Sequence, residues 1–255
     1  MKKITYVYKK LIFNLKKKID LDKIVINNLS LNKLFNFFST DKGTSVKNPY
    51  NKKKNNIVGH GFAKFYEKYF SKLKKTKINL LEIGTWEGAS LAAFSKYFTN
   101  GNIFGIDRNF KFKYKSKNIN FINCDTREKK NLYTLRKKFK NIKFKIIIDD
   151  SSHLLNDMIY NLKFFFNYLD KNGYYIIEDY NHPEYFAYLN DSSNKELTIK
   201  EIIKKIKKKN FFKSKILNKK FQSELFTNIQ QINVHKGNYI SDGKNISDIV
   251  FFKKK

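Results

Sequence analysis

A chain of 255 residues can build one substantial core, or one domain with an appendage. No apolar run is long enough for a membrane helix, and the single cysteine, Cys124, excludes an internal disulfide and a cysteine-rich zinc site. The net charge of +31 suggests nucleic acid, but only Arg108, Arg127 and Arg136 are arginines and the lysines are scattered, so a solvated surface is expected instead of a nucleic-acid groove.

The opening "MKKITYVYKKLIFNLKKKID" begins like a signal peptide, but Lys9, Lys10 and Lys16 cut its apolar stretches. A cytoplasmic protein is the simplest reading. The charge is compatible with weak attraction to an anionic membrane surface. Self-association as a homo-oligomer is compatible with the sequence but not required by it. Residues 1–55 hold helical fragments and the loop "STDKGTSVKNPYNKKKNN", which predicts a helical appendage with a mobile lid loop. Residues 56–255 form the main domain.

From residue 78 the pattern is regular. "INLLEIG" is a continuous apolar run ending on glycine, as in a strand covered on both faces. "GASLAAFSKYF" follows with helical spacing. "NIFGID", "NINFINCD", "KFKIIIDD" and "NGYYIIED" are four more strands, separated by helical patterns. A helix carries Ile199, Ile202, Ile203 and Ile206. The segments "LFTNIQQINVH" and "ISDIVFFKK" close the chain as an antiparallel pair. This order predicts an α/β fold: a Rossmann-like, mostly parallel sheet with helices on both faces and a C-terminal antiparallel hairpin.

Ligands of such sheets bind beyond the carboxyl ends of the strands, where the winding reverses. Five consecutive strands end on acids: Glu82, Asp107, Asp125, Asp149 with Asp150, and Glu178 with Asp179. In "LEIGTWEGAS", Gly84 lets the chain turn sharply and Gly88 lets a ligand approach the first helical turn. Asp107 can accept both hydroxyls of a ribose, and Asp125 an exocyclic amino group. Strands four and five are expected side by side, so Asp150, Glu178 and Asp179 converge. Three such carboxylates repel unless a hard divalent cation such as Mg²⁺ lies among them. His153 can accept a proton in the same cavity.

These residues resemble a known family. "LEIGTWEGAS", "GIDRN" and "NCDTR" look like the first motifs of class I S-adenosylmethionine-dependent methyltransferases. The resemblance implies that Glu82, Gly84 and Gly88 surround the methionine part, Asp107 the ribose, and Asp125 with Thr126 the adenine. "STDKGT", "HGFAKFYEKYF", "DDSSH" and "IEDY" are similar to the metal-dependent sugar O-methyltransferases of macrolide tailoring, of the mycinamicin and macrocin type. That similarity covers roughly residues 38–180. It implies Mg²⁺ or a similar ion on Asp150, Glu178 and Asp179, His153 as base, and a small-molecule or glycan acceptor. The family has glycine where Ser151 stands, so a positive φ there would strain the loop.

Asp149, Ser151 and Ser152 read as loop and cap residues. Asp41, Lys42, His60 and Tyr66 are expected as a lid over the cofactor, or else as a polar surface loop. "NHPEY", with His182, reads as a pocket rim or a turn, and His235 as structural. The rival functions are an RNA methyltransferase and a NAD-dependent oxidoreductase. The first would show a basic stripe with exposed aromatics. The second lacks its G-x-G-x-x-G. A non-enzymatic binding module would leave the acids and His153 without purpose.

Overall fold

The runs around residues 80, 147 and 176 are apolar at successive positions because both sides of their strands are covered. The computed structural model describes residues 2–26, 28–46, 57–190 and 196–255. Its main sheet has seven strands: β1 (Asn79–Ile83), β2 (Asn102–Asp107), β3 (Ile119–Asn123), β4 (Phe144–Asp149), β5 (Leu169–Glu178), β6 (Ile229–Lys236) and β7 (Asp248–Lys254). The spatial order is β6-β7-β5-β4-β1-β2-β3. All pairs from β3 to β5 are parallel. β7 is antiparallel to both β5 and β6. The winding reverses between β1 and β4, where Ile83 pairs with Asp149.

Period-two alternation sends neighbouring residues to opposite layers. Leu80, Ile146, Ile148 and Ile176 face a layer holding α2 (Leu31–Phe38), α3 (Ala63–Phe70) and α4 (Ala89–Tyr97). Leu81, Ile147 and Ile177 face α5 (Lys129–Lys138), α6 (Leu155–Phe165), α8 (Ile199–Lys207) and α9 (Lys219–Asn228), and the short α7 (His182–Tyr185) follows β5. Each such side chain contributes roughly 1.5–3 kcal/mol on full burial.

Two features differ from the sequence reading. Residues 225–228 end α9 and are not part of the following strand. Asn218 caps that helix by accepting from the Phe221 amide, and no glycine or proline marks where α9 passes into β6. The antiparallel hairpin is present as expected, and its last strand enters between β5 and β6. Finally, the N-terminal residues are packed into the main body. α1 (Lys2–Leu15) contributes Phe13, and α2 contributes Leu31, Leu34, Phe35 and Phe38 to the same cluster as the sheet. The lid loop's residues 47–56 lie outside the described residues.

Candidate active site

β1 delivers Glu82 fully buried. Its Oε2 accepts from Ser90 Oγ of α4 at 2.6 Å, and its Oε1 lies 3.6 Å from Lys42 Nζ. Burial pushes its carboxyl up to about 7. Gly84 follows with φ +89°, and a Cβ there would meet the Asp150 backbone oxygen at 2.0 Å. Only glycine lets the ends of β1 and β4 come this close. Gly88, also at φ +89°, opens α4, and a Cβ there would strike the Phe112 ring at 2.2 Å. The constraint on Gly88 is therefore internal packing.

Asp107 at the end of β2 accepts from the Trp86 amide and the Asn109 amide, each at 2.7 Å. It thereby pins the loop after β1 to the end of β2. Asp125 accepts the Arg127 fork at 2.9 and 2.6 Å, and those hydrogen bonds hold its carboxyl below the usual range. Asp107, Asp125 and Thr126 line a cavity of about 250 Å³ together with Gly84, Trp86 and Asp150. A second cavity of about 560 Å³ shares Gly84, Trp86, Asp150 and Ser151 as walls, and adds Lys42, His60 and His153. The two spaces meet at the switch point.

At the ends of β4 and β5 the acids fall into two groups. Lys42, 1% exposed, donates to Glu178 Oε2 at 2.7 Å and makes a short contact with Asp150 Oδ2. The Tyr66 hydroxyl donates to Glu178 Oε1. Burial raises the carboxyls of Asp150 and Glu178. Burial also opposes the Lys42 ammonium, but the surrounding carboxylates outweigh it and hold that group well above its ordinary value. Asp179 points elsewhere. Its Oδ1 lies 3.2 Å from His60 Nδ1 and 3.6 Å from His182 Nε2. Burial opposes the His60 charge, yet Asp179 wins and His60 is raised to about 9. Asp179 is in turn held below the usual range against its own burial. Burial lowers His182. His153 Nε2 lies 3.6 Å from Asp150 Oδ1, and its ring meets that of His182 edge-on at 5.0 Å.

No family model matches the chain. The mycinamicin VI 2''-O-methyltransferase of Micromonospora griseorubida is 28% identical over 127 residues, which is 47% of this chain and 31% of that protein. The demethylmacrocin O-methyltransferase of Streptomyces fradiae is likewise 28% identical over 127 residues, 47% of this chain and 32% of that protein. The chain spans about a third of the length of these curated relatives in the matched region. Among solved structures, the MycE methyltransferase from the mycinamycin biosynthetic pathway, in complex with Mg, SAH and mycinamycin VI, matches with TM-score 0.64 and 20% identity. That match covers 89% of this chain and 55% of the other. The chain has the class I methyltransferase fold.

On this methyltransferase fold, Gly84, Asp107, Asp125 and Thr126 line the smaller cavity at the switch point, while Glu82 lies buried beneath it against Ser90 and Lys42 and lines neither cavity. Gly88 is absent from the lining of either cavity, since Phe112 covers it. Asp150, Glu178 and Asp179 come together at two adjacent strand ends, but Glu178 has both oxygens engaged. Ser151 does not have positive φ. Among the non-glycine residues with left-handed φ at the site are Trp86 at 47°, His153 at 56° and Asp179 at 50°. Ser151 Oγ instead donates to Asp149 Oδ1 at 2.7 Å. Asp149 also accepts from Asn161 and Tyr175, so it is structural. Lys42 and Tyr66 are floor, not lid: they are 1% and 0% exposed. His235 sits 2.8 Å from the Tyr69 hydroxyl and stacks on Phe65, away from the site. The sequence reading missed Arg127 as the partner of Asp125, and left His182 between a pocket rim and a turn, where the structure sets it against Asp179 and His153. The bidentate spacing in "DTR" was the available signal for the first. For the second only "EDYNH" at a strand end was available.

Proposed function

We propose that the chain transfers a methyl group from S-adenosylmethionine to a hydroxyl of a sugar or glycosylated small molecule, with a divalent cation such as Mg²⁺. The observation that carries this is a pair of cavities with Gly84, Trp86, Asp150 and Ser151 as common walls. One end is lined by Asp107, Asp125 and Thr126, and the other by Asp150 and His153. The names of the relatives, sugar O-methyltransferases, support the acceptor class.

In this reading Asp107 accepts the ribose hydroxyls through the lone pairs left by its two amide bonds. The turn at Gly84 lets the sulfonium end pass between the two cavities. The acceptor hydroxyl enters beside Asp150. His153 takes its proton on Nε2 as the oxygen attacks the methyl carbon in line. The carbon–sulfur bond breaks, its electron pair stays on sulfur, and a neutral thioether remains. The site also fits a cation. Asp179 Oδ1 is buried and accepts no well-aligned hydrogen bond, its one close partner being the His60 ring nitrogen at 3.2 Å, so it keeps lone pairs that a metal can use. Bound near Asp150 and Asp179, the ion would lower the hydroxyl's pKa and fix its orientation.

We also place the protein in the cytoplasm, where a lone cysteine is at home. Among the described residues no helix is long and apolar enough to cross a membrane. Weak association with anionic membrane surfaces is part of the same proposal. α1 exposes Val7, Tyr8, Leu11 and Leu15 among lysines.

Calorimetric titration with S-adenosylmethionine, with and without Mg²⁺, tests the reading. One cofactor per chain is expected in both, with methyl transfer to a sugar hydroxyl abolished by chelation. A folded protein that takes up no cofactor in either titration would sink it.

A further inference from the structure

A third cavity, of about 670 Å³, opens beyond the smaller one, between α5, α6 and α9. The two share Thr126, Arg127 and Asp157 as walls. The inner end of the third is held in shape by bonds to the active-site loops. The Arg127 fork is bonded to Asp125, and Asp157 accepts from Ser152 Oγ. The Asn161 amide donates to Asp149 Oδ1 and to Ser151 Oγ, each at 3.2 Å. The wall along α6 is aromatic. Tyr160, Phe164 and Tyr168 follow one another at the spacing that keeps side chains on one helical face. The rings of Phe164 and Tyr168 have centroids 5.6 Å apart, and Tyr160 is 54% exposed.

The rim is cationic. Only three of the 53 basic residues are arginine, and all three line this cavity or the smaller one beside it. Arg127 is taken by Asp125, and Lys163 donates to the Ile216 carbonyl. Lys129, Arg136 and Lys220 remain, and among the described residues none of them forms an ion pair. The Arg136 guanidinium lies 5.5 Å from the centre of the Phe164 ring, a stack that leaves its N–H edge for an anion. The acids present are Glu224 and the already bonded Asp157. α5 begins at Lys129 and α9 at Lys219, so the positive ends of two helices lie at the same rim. Aromatic faces beside a forked cation suit a flat ring that carries phosphate, whereas a flexible alkyl chain would use neither the stack nor the ring edges. We propose that this cavity binds a nucleoside phosphate, with its base against Tyr160, Phe164 and Tyr168 and its phosphate on Arg136, Lys129 and Lys220. A cavity of this size takes one small ligand, not a strand. The site does not depend on the methyl-transfer reading.

The test titrates the full chain with uridine monophosphate and with adenosine monophosphate in a calorimeter, with and without saturating S-adenosylhomocysteine. One nucleotide per chain is expected in both conditions. Against the tighter of the two nucleotides, its nucleoside and inorganic phosphate should each bind at least about tenfold more weakly, since each makes only one of the two contacts. Folded Arg136→Ala should also lose at least about tenfold, as for a hydrogen bond to a charged group, and Tyr160→Ala about fivefold or more, as for one stacked base. Nitration of the unmodified protein with tetranitromethane gives a readout that needs no variant. The nucleotide should protect Tyr160 and leave Tyr188, 78% exposed, as reactive as before. Binding of neither nucleotide, parent-like affinity in folded Arg136→Ala, or unprotected Tyr160 overturns the proposal. Loss of nucleotide binding at saturating S-adenosylhomocysteine also overturns it, because the nucleotide would then have occupied the cofactor end. Tighter binding of dodecyl phosphate or of an oligouridylate than of the mononucleotides overturns it in favour of a chain amphiphile or an RNA surface. None of these results decides the methyl-transfer reading, which rests on cofactor uptake.

Discussion

The acids at the ends of β2 and β3 and those at the ends of β4 and β5 are held by different parts of the chain. Asp107 and Asp125 are fixed by donors 2 to 21 residues away, namely the amides of Trp86 and Asn109 and the Arg127 fork. Asp150 and Glu178 are fixed by Lys42 and Tyr66, which lie 108 to 136 residues away. The first half is a set of local turns that any well-formed strand end can make. The second exists only after the N-terminal residues have packed under the sheet. Local turns pre-shape a recognition surface, whereas the long-range half sets charge and proton positions.

The sharpest way to separate the halves is to remove chemistry from the second without touching the first. His153→Ala is expected to lose roughly 10²–10⁴-fold in turnover, as for a positioned base, with cofactor affinity unchanged in calorimetry. A parent-like rate on the true acceptor would show that the hydroxyl loses its proton by another route. Next comes Lys42→Met, which strands buried carboxylates without their counter-ion. Breaking a buried pair from one side costs about 3–5 kcal/mol, read as a lowered denaturant midpoint. Adding Glu178→Gln should restore part of it. No recovery in the double variant would mean that Lys42 supports the fold through something other than Glu178.

In the first half, Asp107→Ala should weaken S-adenosylmethionine binding by about 1–3 kcal/mol while the protein stays folded. Equal affinity in parent and variant would move the ribose elsewhere. A pH series probes the floor between the halves. Burial pushes Asp149 up to about 7 from its ordinary 3.8, so the folded state keeps a proton that the unfolded state has released. The stability this gives is fully present below the unfolded value. It is lost as pH rises through about 7, at a slope of at most about 1.4 kcal/mol per pH unit. Chemical denaturation between pH 5 and 8 should show that fall, and Asp149→Asn should flatten it. The smallest effect concerns Cys124, whose thiol burial pushes up to about 11. Iodoacetamide at pH 8 should label it far more slowly than free cysteine, and slower still with cofactor bound, because Cys124 lines the smaller cavity.

The same contrast explains what was legible in the sequence. Strand ends, the glycine turn at Gly84 and the ring of acids follow from short-range pattern, and they lie where expected. Gly88 was legible as a required glycine but not for its reason, because Phe112 lies in a later loop. Lys42 stood in a polar stretch, and nothing local separates a surface lysine from one that enters a carboxylate cluster. His182 followed a strand-end acid by three residues, a spacing that also suits a plain turn. The junction of α9 and β6 was misread because Leu225 and Phe226 fit either period when no breaker intervenes.

The interposed strand has a consequence for synthesis on the ribosome. β6 bonds only to β7 within the main sheet, and β7 alone joins it to β5. When β6 leaves the exit tunnel it therefore has no place to dock. The edge of β5, with Ile176 and Ile177 beside Glu178 and Asp179, stays open until residues 248–254 have emerged. A nascent chain held at that stage carries an unpaired apolar strand edge next to an unfinished catalytic pocket. Chaperone dependence and aggregation should concentrate in that interval.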